Sequence, residues 1–411
     1  MNEFEVVPHR DFAYEVVRRL RDVGHQALWA GGCVRDQLLG LLPKDYDVAT
    51  SARPEQIREL FGQRRTIAVG AAFGVIAVLG PRSAGSVEVA TFRGESQYLD
   101  GRHPSEVHFT DAEHDAQRRD FTINGLFFDP MKSEVIDYVN GQRDLAERIV
   151  RAIGDPAARF ADDKLRMLRA VRFAATFNFT IEPATLAAID RHAAEIHQVS
   201  AERIGMEVRR MLLDPRRAAA LKQLEACKLL VEVLPEVALL PRDVQKATRA
   251  VLRHLDGPTL SVALAATLHR AGGPDVAREV SRRLRFTNKE ADRSEWLLSH
   301  LEQIAAADRL AWPQLQRILV HEGGAELVQL LMVITGETAA TRLCREKFAL
   351  PAEVLNPAPL VDGSDLLAAG VPAGPDVGKL LEQIRDAQLA GTVTSQEQAL
   401  QFVKQSLVTG T

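Results

Sequence analysis

Hydrophobic and polar positions change their spacing along the chain. In the first third, short apolar runs bounded by glycine and polar clusters predict strands over residues 27–30, 45–48, 66–69, 75–79 and 87–92. Helical spacing predicts helices over residues 11–23, 34–39 and 54–61. Beyond residue 140 the helical spacing dominates, and it includes one continuous amphipathic helix over 157–177. We therefore expect an α+β protein, with a small mixed α/β head followed by all-helical segments.

Composition narrows the class of protein. The 411 residues are 46% hydrophobic, which is enough to build the cores of several domains. The formal net charge of −4 gives no indication of nucleic-acid binding, so any surface that binds RNA must be a local patch. The three cysteines lie far apart, which favours reduced thiols and a cytoplasmic location. We expect no signal peptide and no membrane span, and nothing indicates a protein partner.

Candidate phosphate- and metal-binding residues are most closely spaced in the stretch ALWAGGCVRDQLLGLLPKDYDVAT. Its first predicted strand ends at Gly31 and Gly32, a pair that permits a tight turn and close backbone approach to a ligand. Arg35 follows in the first turn of a predicted helix, where exposed N–H groups suit a phosphate. Asp45 and Asp47 alternate on the next predicted strand and therefore point the same way. Two parallel carboxylates repel unless a cation lies between them, and Mg²⁺ prefers carboxylate and phosphate oxygens.

Each part of this stretch has a plainer interpretation when taken alone, because Asp-x-Asp is common in solvated turns and Gly-Gly is common in turns of all kinds. The composite resembles the signature of the polymerase-β-like nucleotidyltransferases. The longer string GGCVRDQLLG…KDYDVAT resembles one branch, the bacterial class II tRNA nucleotidyltransferases and their poly(A) polymerase relatives. This resemblance implies metal-assisted nucleotidyl transfer, with Mg²⁺ held by Asp45 and Asp47.

A second polar motif, RRDFTIN, contains Arg118, Arg119, Asp120 and Asn124. Arginine binds phosphate oxygens in a bidentate manner, and the Asp and Asn side chains suit ribose hydroxyls. A surface salt-bridge cluster is the alternative interpretation. The string resembles the ribose- and phosphate-binding motif of the family.

Two further features of the head have open interpretations. Glu88, on the predicted strand VEVATF, is a candidate third metal ligand, and a solvent-facing strand residue is an equal alternative. Residues 93–109 are polar, contain glycine and lack periodicity, which predicts a mobile loop. They resemble the flexible loop that the family places after its catalytic strand, and a plain surface connection is the alternative.

Acidic and basic residues lie along the helix predicted over 157–177. Asp163 and Arg166 are three residues apart and therefore neighbours on one face, for which an ion pair is the simple interpretation. Cytosine and adenine, however, each present an exocyclic amine donor beside a ring-nitrogen acceptor. A carboxylate accepts from the amine and an arginine donates to the ring nitrogen. Uracil and guanine reverse both polarities and would leave buried partners unpaired, at about 1–3 kcal/mol each.

The string DDKLR resembles the base-reading motif of the family, usually written Glu-Asp-x-x-Arg, with Asp162 in place of the glutamate. Arg169 and Arg172 lie one and two turns further along and are candidates for steering a triphosphate, with packing ion pairs as the alternative. Near the C-terminal end, Gly374, Gly378 and Lys379 lie at a predicted helix start. Small residues at a helix N-terminus suit backbone phosphate, and the segment resembles the family's tRNA-binding tail. A helix–turn–helix packing unit is the alternative.

The resemblance implies four segments: a nucleotidyltransferase head at 1–139, a base-reading helical neck at 140–213, a helical body at 214–300 and a tRNA-binding tail at 301–411. The implied function is addition of C, C and A to tRNA 3′ ends from CTP and ATP without a nucleic-acid template. A poly(A) polymerase and an enzyme that adds only CC or only A remain alternatives. The loop at 93–109 argues against the CC-only type. An RNA-binding protein with an inactive head is an alternative of another class, and the presence of both aspartates argues against it.

Overall fold

The computed structural model describes residues 8–70, 74–94 and 108–409. Contacts within the chain divide it into two compact units, one up to Leu239 and one from Leu240 onward. The finer four-part division stays a prediction. The loop predicted over 93–109 lies mostly outside the described residues, but its two ends are joined by a bridge between Arg93 and Phe109.

A mixed sheet forms the head of the first unit. Its strands are β1 Ala27–Ala30, β2 Asp47–Thr50, β3 Thr66–Gly70, β4 Val75–Leu79, β5 Ser86–Thr91, β6 Leu126–Asp129 and β7 Glu134–Asp137. They lie in the order β3-β4-β5-β2-β1-β6-β7. The apolar strand β1 is buried along its whole length because antiparallel β2 and β6 flank it and helices cover it. Strand β2 pairs with β5 in parallel, which places Asp47 beside Glu88, one step before the Val48–Val89 pair.

Helices complete the first unit and surround a second, two-stranded parallel sheet. That sheet pairs β8 Ile149–Val150 with β9 Thr180–Ile181. The helices are α1 Pro8–Asp22, α2 Gly32–Leu38, α3 Pro54–Phe61, α4 Ala112–Gln117, α5 Gly141–Glu147, α6 Pro156–Asp162, α7 Leu165–Phe177, α8 Pro183–His192, α9 Ala201–Leu213, α10 Arg217–Ala226, α11 Leu229–Val233 and α12 Pro235–Ala238. The strands and helices together confirm the predicted α+β class.

The second unit is helical throughout its described residues. Its helices are α13 Arg242–His254, α14 Leu260–Leu268, α15 Pro274–Arg283, α16 Asn288–Ala305, α17 Trp312–Val320, α18 Gly324–Thr335, α19 Ala339–Phe348, α20 Ala352–Leu355, α21 Gly363–Ala368, α22 Pro375–Leu389 and α23 Gln396–Thr409. No single helix in the described ranges is long and apolar enough to cross a membrane. Helices α17 and α18 pass that test only as a pair, and they are bent by 103° at the break between them.

Two predicted elements that carry candidate site residues differ from the structure. The strand expected over 45–48 begins at Asp47, so Asp45 lies in the segment that leads into β2 rather than on the strand. The continuous helix expected over 157–177 is wrong, because the chain breaks between α6 and α7. Asp163 adopts an extended conformation there, with φ −151° and ψ 105°, and its Oδ1 accepts from the Leu165 N–H at 3.0 Å. A short side chain that bonds its own backbone competes with helix continuation, and periodicity does not report this competition.

Candidate functional site

A cavity of about 660 Å³ opens in the first unit, between the head sheet and helices α7 and α9. Eight arginines and four aspartates dominate its lining. The lining residues are Gly31, Gly32, Arg35, Asp45, Asp47, Arg118, Arg119, Asp120, Asn124, Asp163, Leu165, Arg166, Arg169, Arg172, Phe173, Arg203 and Arg210. Because cationic groups exceed anionic ones two to one, the cavity suits a ligand with several negative charges.

The turn after β1 depends on glycine. Gly31 has φ +71°, a conformation that other residues rarely adopt. A Cβ atom at this position would lie 2.8 Å from Nη1 of Arg119. The turn therefore brings backbone close to an arginine of the cavity wall, and the predicted approach of backbone to a ligand stays a prediction.

Asp45 and Asp47 face the same cavity although only Asp47 lies on β2. The pKa of Asp47 is raised to about 6, first by desolvation among its neighbours and then by repulsion from the carboxylate of Glu88, with a smaller contribution from Asp45. Its carboxylate remains accessible from the cavity. Crowded carboxylates that repel one another are suited to hold a divalent cation, which supplies the missing positive charge.

Glu88 neighbours Asp47 across the parallel strand pair but is not among the residues that line the cavity. Within the described parts of the chain, no group of three or more His, Cys, Asp or Glu side chains is arranged to hold a metal. Of the carboxylates that line the cavity, Asp45 and Asp47 are the two that lie together in sequence, and two is the number that Mg²⁺ commonly takes from a protein when substrate phosphates supply further ligands.

Asp115 is a supporting residue that the sequence analysis did not single out. Its carboxylate is almost fully buried and accepts from Arg118 at 2.5 Å and from Arg119 at 2.9 Å. Burial opposes its ionisation, but the two guanidinium groups hold the pKa of Asp115 below its usual value. The spacings of three and four residues on α4 are a signal that sequence alone contains. Asp115 therefore fixes both arginines at the cavity wall while their remaining N–H groups stay available.

Asp120 and Asn124 lie at the junction between the head and α7, and both are buried. Asp120 accepts from Arg169 at 2.6 Å and from the Asn124 amide at 3.0 Å. Burial works against the charged form, yet Arg169 and these hydrogen bonds lower the pKa of Asp120 to about 2. Asn124 in turn accepts from Arg35 at 2.6 Å. These side chains line the cavity, but much of their hydrogen-bonding capacity is already used within the protein.

Arg35 joins the head sheet to α7. Its guanidinium carbon lies 4.5 Å from the ring centroid of Phe177 and 5.2 Å from that of Phe173, both on α7. The same group donates to Asp36 and Asn124. Arg35 therefore holds α7 against the glycine turn, in addition to facing the cavity.

Asp163 and Arg166 are both at the cavity, although they do not share a helix face as predicted. Asp163 pairs through Oδ2 with Arg203 of α9 at 2.7 Å. Arg166 is buried and donates to the backbone carbonyls of Arg159 at 3.2 Å and Arg118 at 3.3 Å. Arg203, which the sequence analysis did not single out, thus orients the carboxylate, and two backbone contacts orient the guanidinium.

Asp162 lies outside the cavity lining and pairs with Arg159 at 3.5 Å and Arg166 at 3.7 Å. It therefore supports Arg166, which lines the cavity, rather than facing the cavity itself. Glu207 of α9 is buried and pairs with Arg172 at 2.6 Å and Arg210 at 2.9 Å. The sequence analysis named neither Glu207 nor Arg210: the Glu207–Arg172 pair spans 35 residues and leaves no local signal, whereas the Glu207–Arg210 pair has a three-residue spacing that sequence alone contains.

Gly374, Gly378 and Lys379 belong to the second unit, at the start of α22. Space is open around both glycines. The Lys379 ammonium donates to Asp376 at 2.9 Å, and both side chains are exposed.

Comparisons with known proteins agree with this arrangement. The pattern described as the poly A polymerase head domain matches residues 27–151, and that described as a probable RNA and SrmB-binding site of polymerase A matches residues 178–240. The CCA-adding enzyme of Levilactobacillus brevis is 32% identical over 408 residues, which cover 95% of this chain and 96% of the relative. That of Streptococcus mutans is 32% identical over 410 residues, covering 96% and 97%.

The crystal structure of the Bacillus stearothermophilus CCA-adding enzyme in complex with CTP has a TM-score of 0.82 and 28% identity, and the match covers 98% of this chain and 99% of that one. With such similarity over nearly the whole length of both chains, the protein belongs to the nucleotidyltransferase family of CCA-adding enzymes and poly(A) polymerases.

Proposed function

We propose that this protein adds C, C and A to the 3′ end of tRNA, taking the nucleotides from CTP and ATP and releasing pyrophosphate. One observation carries the proposal. The carboxylates Asp45 and Asp47 and the polar pair Asp163 and Arg166 line one cavity, whose volume of about 660 Å³ is in the range of small-molecule sites. A single nucleoside triphosphate in that cavity meets both sets of groups, with no nucleic-acid template.

The two aspartates would hold Mg²⁺, in keeping with the raised pKa of Asp47 and the all-oxygen donor set. When bound, the ion supplies Lewis-acid stabilisation of charge on phosphate oxygens. The RNA 3′-hydroxyl attacks the α-phosphate, a new phosphodiester bond forms, and the bond to the β-phosphate breaks. Asp45 and Asp47 position the reacting oxygens in this scheme.

The arginines and the glycine turn bind the triphosphate. Arg118 and Arg119 are fixed by Asp115 and offer their remaining N–H groups. Gly31 and Gly32 allow phosphate oxygens to approach the backbone without a side chain between them. Electrostatic stabilisation by preorganised donors is effective because they do not need to reorient as charge moves during the reaction.

Asp120 and Asn124 face the ribose, and Arg169 and Arg35 hold them in place. A hydroxyl that bonds to these side chains distinguishes ribonucleotides from deoxyribonucleotides. Arg172, which Glu207 fixes, lies further along α7 and contributes positive charge to the same cavity.

Asp163 and Arg166 read the base. The carboxylate accepts from the exocyclic amine of cytosine or adenine, and the guanidinium donates to the neighbouring ring nitrogen. Arg203 keeps the carboxylate in position, so the pattern of one acceptor and one donor is set before the nucleotide enters. Uracil and guanine present the opposite pattern and would leave these groups unpaired.

The four segments at 1–139, 140–213, 214–300 and 301–411 then act as head, neck, body and tail. Gly374, Gly378 and Lys379 contact tRNA backbone from the tail. The cytoplasm, where tRNA meets nucleoside triphosphates, is the compartment that this activity requires.

The test incubates the purified protein with tRNA that lacks its 3′ CCA and with each labelled nucleoside triphosphate in turn, then with CTP and ATP together. We expect two C residues from CTP alone and a complete CCA end from the mixture. Asp45→Asn should abolish incorporation while leaving the protein folded. Long A tails without C would identify a poly(A) polymerase, and CC alone from the mixture would identify a split-function enzyme.

A further inference from the structure

Helix α13 carries a row of basic residues on one face, which we call the α13 basic stripe: Arg242, Lys246, Arg249 and Arg253. Their spacings of four, three and four residues return to the same side of a helix. At 100° per residue they fall within an arc of about 60°. The opposite side, with Thr248, Val251 and Leu252 among its residues, is buried where α13 packs on α14 and α18.

The stripe is accessible, and three of its members are without ionic partners. Arg242, Lys246 and Arg253 are exposed, and none of them forms an ion pair with any described residue. The neighbouring acid Asp243 is about 100° away around the helix and therefore off the stripe.

Two other exposed arginines of the second unit do have acidic partners. Arg278 pairs with Asp292 and Glu295, and Arg345 pairs with Glu337. The chain as a whole has 55 acidic and 51 basic residues. Arg242, Lys246 and Arg253, aligned on one helix face without acidic partners among the described residues, form a local positive patch on a protein of net negative charge.

The dimensions of the stripe suit a polyanion. The eleven helical steps from Arg242 to Arg253 span about 16 Å, a length over which a nucleic-acid duplex presents roughly ten phosphate charges. The exposed positions of α13 are polar and charged, with no apolar side chain among them to enter a lipid surface. An extended phosphate backbone therefore matches both the length and the chemistry of this face.

We propose that the α13 basic stripe binds the phosphate backbone of the tRNA substrate, by charge and without reading bases. This proposal rests on the proposed function, which makes tRNA the substrate. It assigns the contact to residues that follow, in the sequence, the segment matching the pattern described as a probable RNA and SrmB-binding site, which ends at residue 240. Phosphate contacts of this kind position a nucleic acid and make its affinity depend on salt.

The experiment compares the full-length triple variant Arg242→Gln/Lys246→Gln/Arg253→Gln with wild type. Binding of tRNA lacking CCA is measured by fluorescence anisotropy across a series of KCl concentrations, without nucleotides. We expect the slope of log Kd against log salt to fall by about two to three, since each lost phosphate contact removes roughly 0.7–0.9. At moderate salt the Kd should rise about tenfold or more, while the KM for CTP stays within twofold of wild type.

A matched control removes the same charge from elsewhere in the second unit, with Arg278→Gln/Arg342→Gln/Arg345→Gln. Those arginines lie within ion-pair distance of acids, so their loss should change the slope by less than one. Equal slopes for the two triple variants would overturn the proposal, as would tRNA binding by the stripe variant that matches wild type. Failure of the proposed function is a separate result: the wild-type protein would then add no nucleotides to tRNA, whatever the binding slopes show.

Discussion

Methionine in place of Arg203 keeps the length of the side chain but removes the guanidinium group that donates to Asp163. In the native structure this contact is 2.7 Å, and both side chains are less than a quarter exposed. Asp163 would keep its contact from the Leu165 N–H on the other oxygen. The carboxylate would therefore remain at the cavity but lose the group that fixes its direction.

The size of the effect follows from the environment of the pair. Fully exposed ion pairs contribute about 0–1 kcal/mol, whereas hydrogen bonds to charged groups contribute about 1.5–3 kcal/mol. A partly shielded pair lies between these limits, so we expect a loss of about 1–2 kcal/mol in positioning. At 1.4 kcal/mol for each factor of ten, kcat/KM for CTP and ATP should fall about 5- to 30-fold.

The assay measures kcat/KM for CTP, ATP and UTP on tRNA lacking CCA. Because Arg203 acts through Asp163, the ratio of CTP to UTP use should fall along with the rates, and Arg203→Lys should restore part of it. Arg143→Met, which breaks an exposed pair with Glu147 in the same unit, serves as the control and should change kcat/KM less than twofold. If Arg203→Met slowed all three nucleotides equally, the positioning role would be refuted.

Three further predictions concern the same unit. Asp120→Asn should lower the free energy of unfolding of this unit by about 2–3 kcal/mol at pH 7, because the pKa of Asp120 is lowered to about 2 in the folded protein from about 4 in the unfolded chain. This stabilisation is complete above about pH 4 and is lost as the pH falls through about 2. Urea unfolding should therefore show the difference between variant and wild type closing between about pH 4 and about pH 2. Gly31→Ala should reduce kcat/KM for CTP about tenfold or more, since its Cβ would meet Arg119 at 2.8 Å and φ is +71°; unchanged kinetics would contradict this steric argument. The three cysteines are buried, and burial raises the pKa of Cys33 to about 12, so Ellman's reagent should label them in the native protein only after urea is added.

Local patterns predicted the parts of the site that depend on neighbours in sequence. The glycine pair, the aspartate pair and the four polar residues Arg118, Arg119, Asp120 and Asn124 of the RRDFTIN string all line the cavity, although Asp45 precedes the strand on which it was predicted to lie. Strand alternation located most of the head sheet to within a residue or two. These features follow from turn chemistry and side-chain alternation, which operate over a few residues.

Contacts between distant segments were not predictable in the same way. Glu207 reaches Arg172 across 35 residues, and Arg203 reaches Asp163 across 40. The helix breaks at Asp163 because of a local hydrogen bond from the Leu165 N–H to its side chain. The amphipathic pattern continues through this position, so the sequence predicted one unbroken helix. An asparagine or aspartate that bonds its own backbone ends a helix without changing the spacing of apolar residues.

The central claim is that side chains of the neck, rather than a template, select the nucleotide. The most direct measurement is single-turnover incorporation of CMP and UMP into tRNA lacking CCA, by wild type and by Asp163→Ala. We predict that wild type prefers CTP at least about 30-fold, from two mismatched groups at roughly 1–3 kcal/mol each, and that Asp163→Ala reduces this preference about tenfold or more. If the variant slowed CTP and UTP by the same factor, selection of the base by Asp163 and Arg166 would be contradicted.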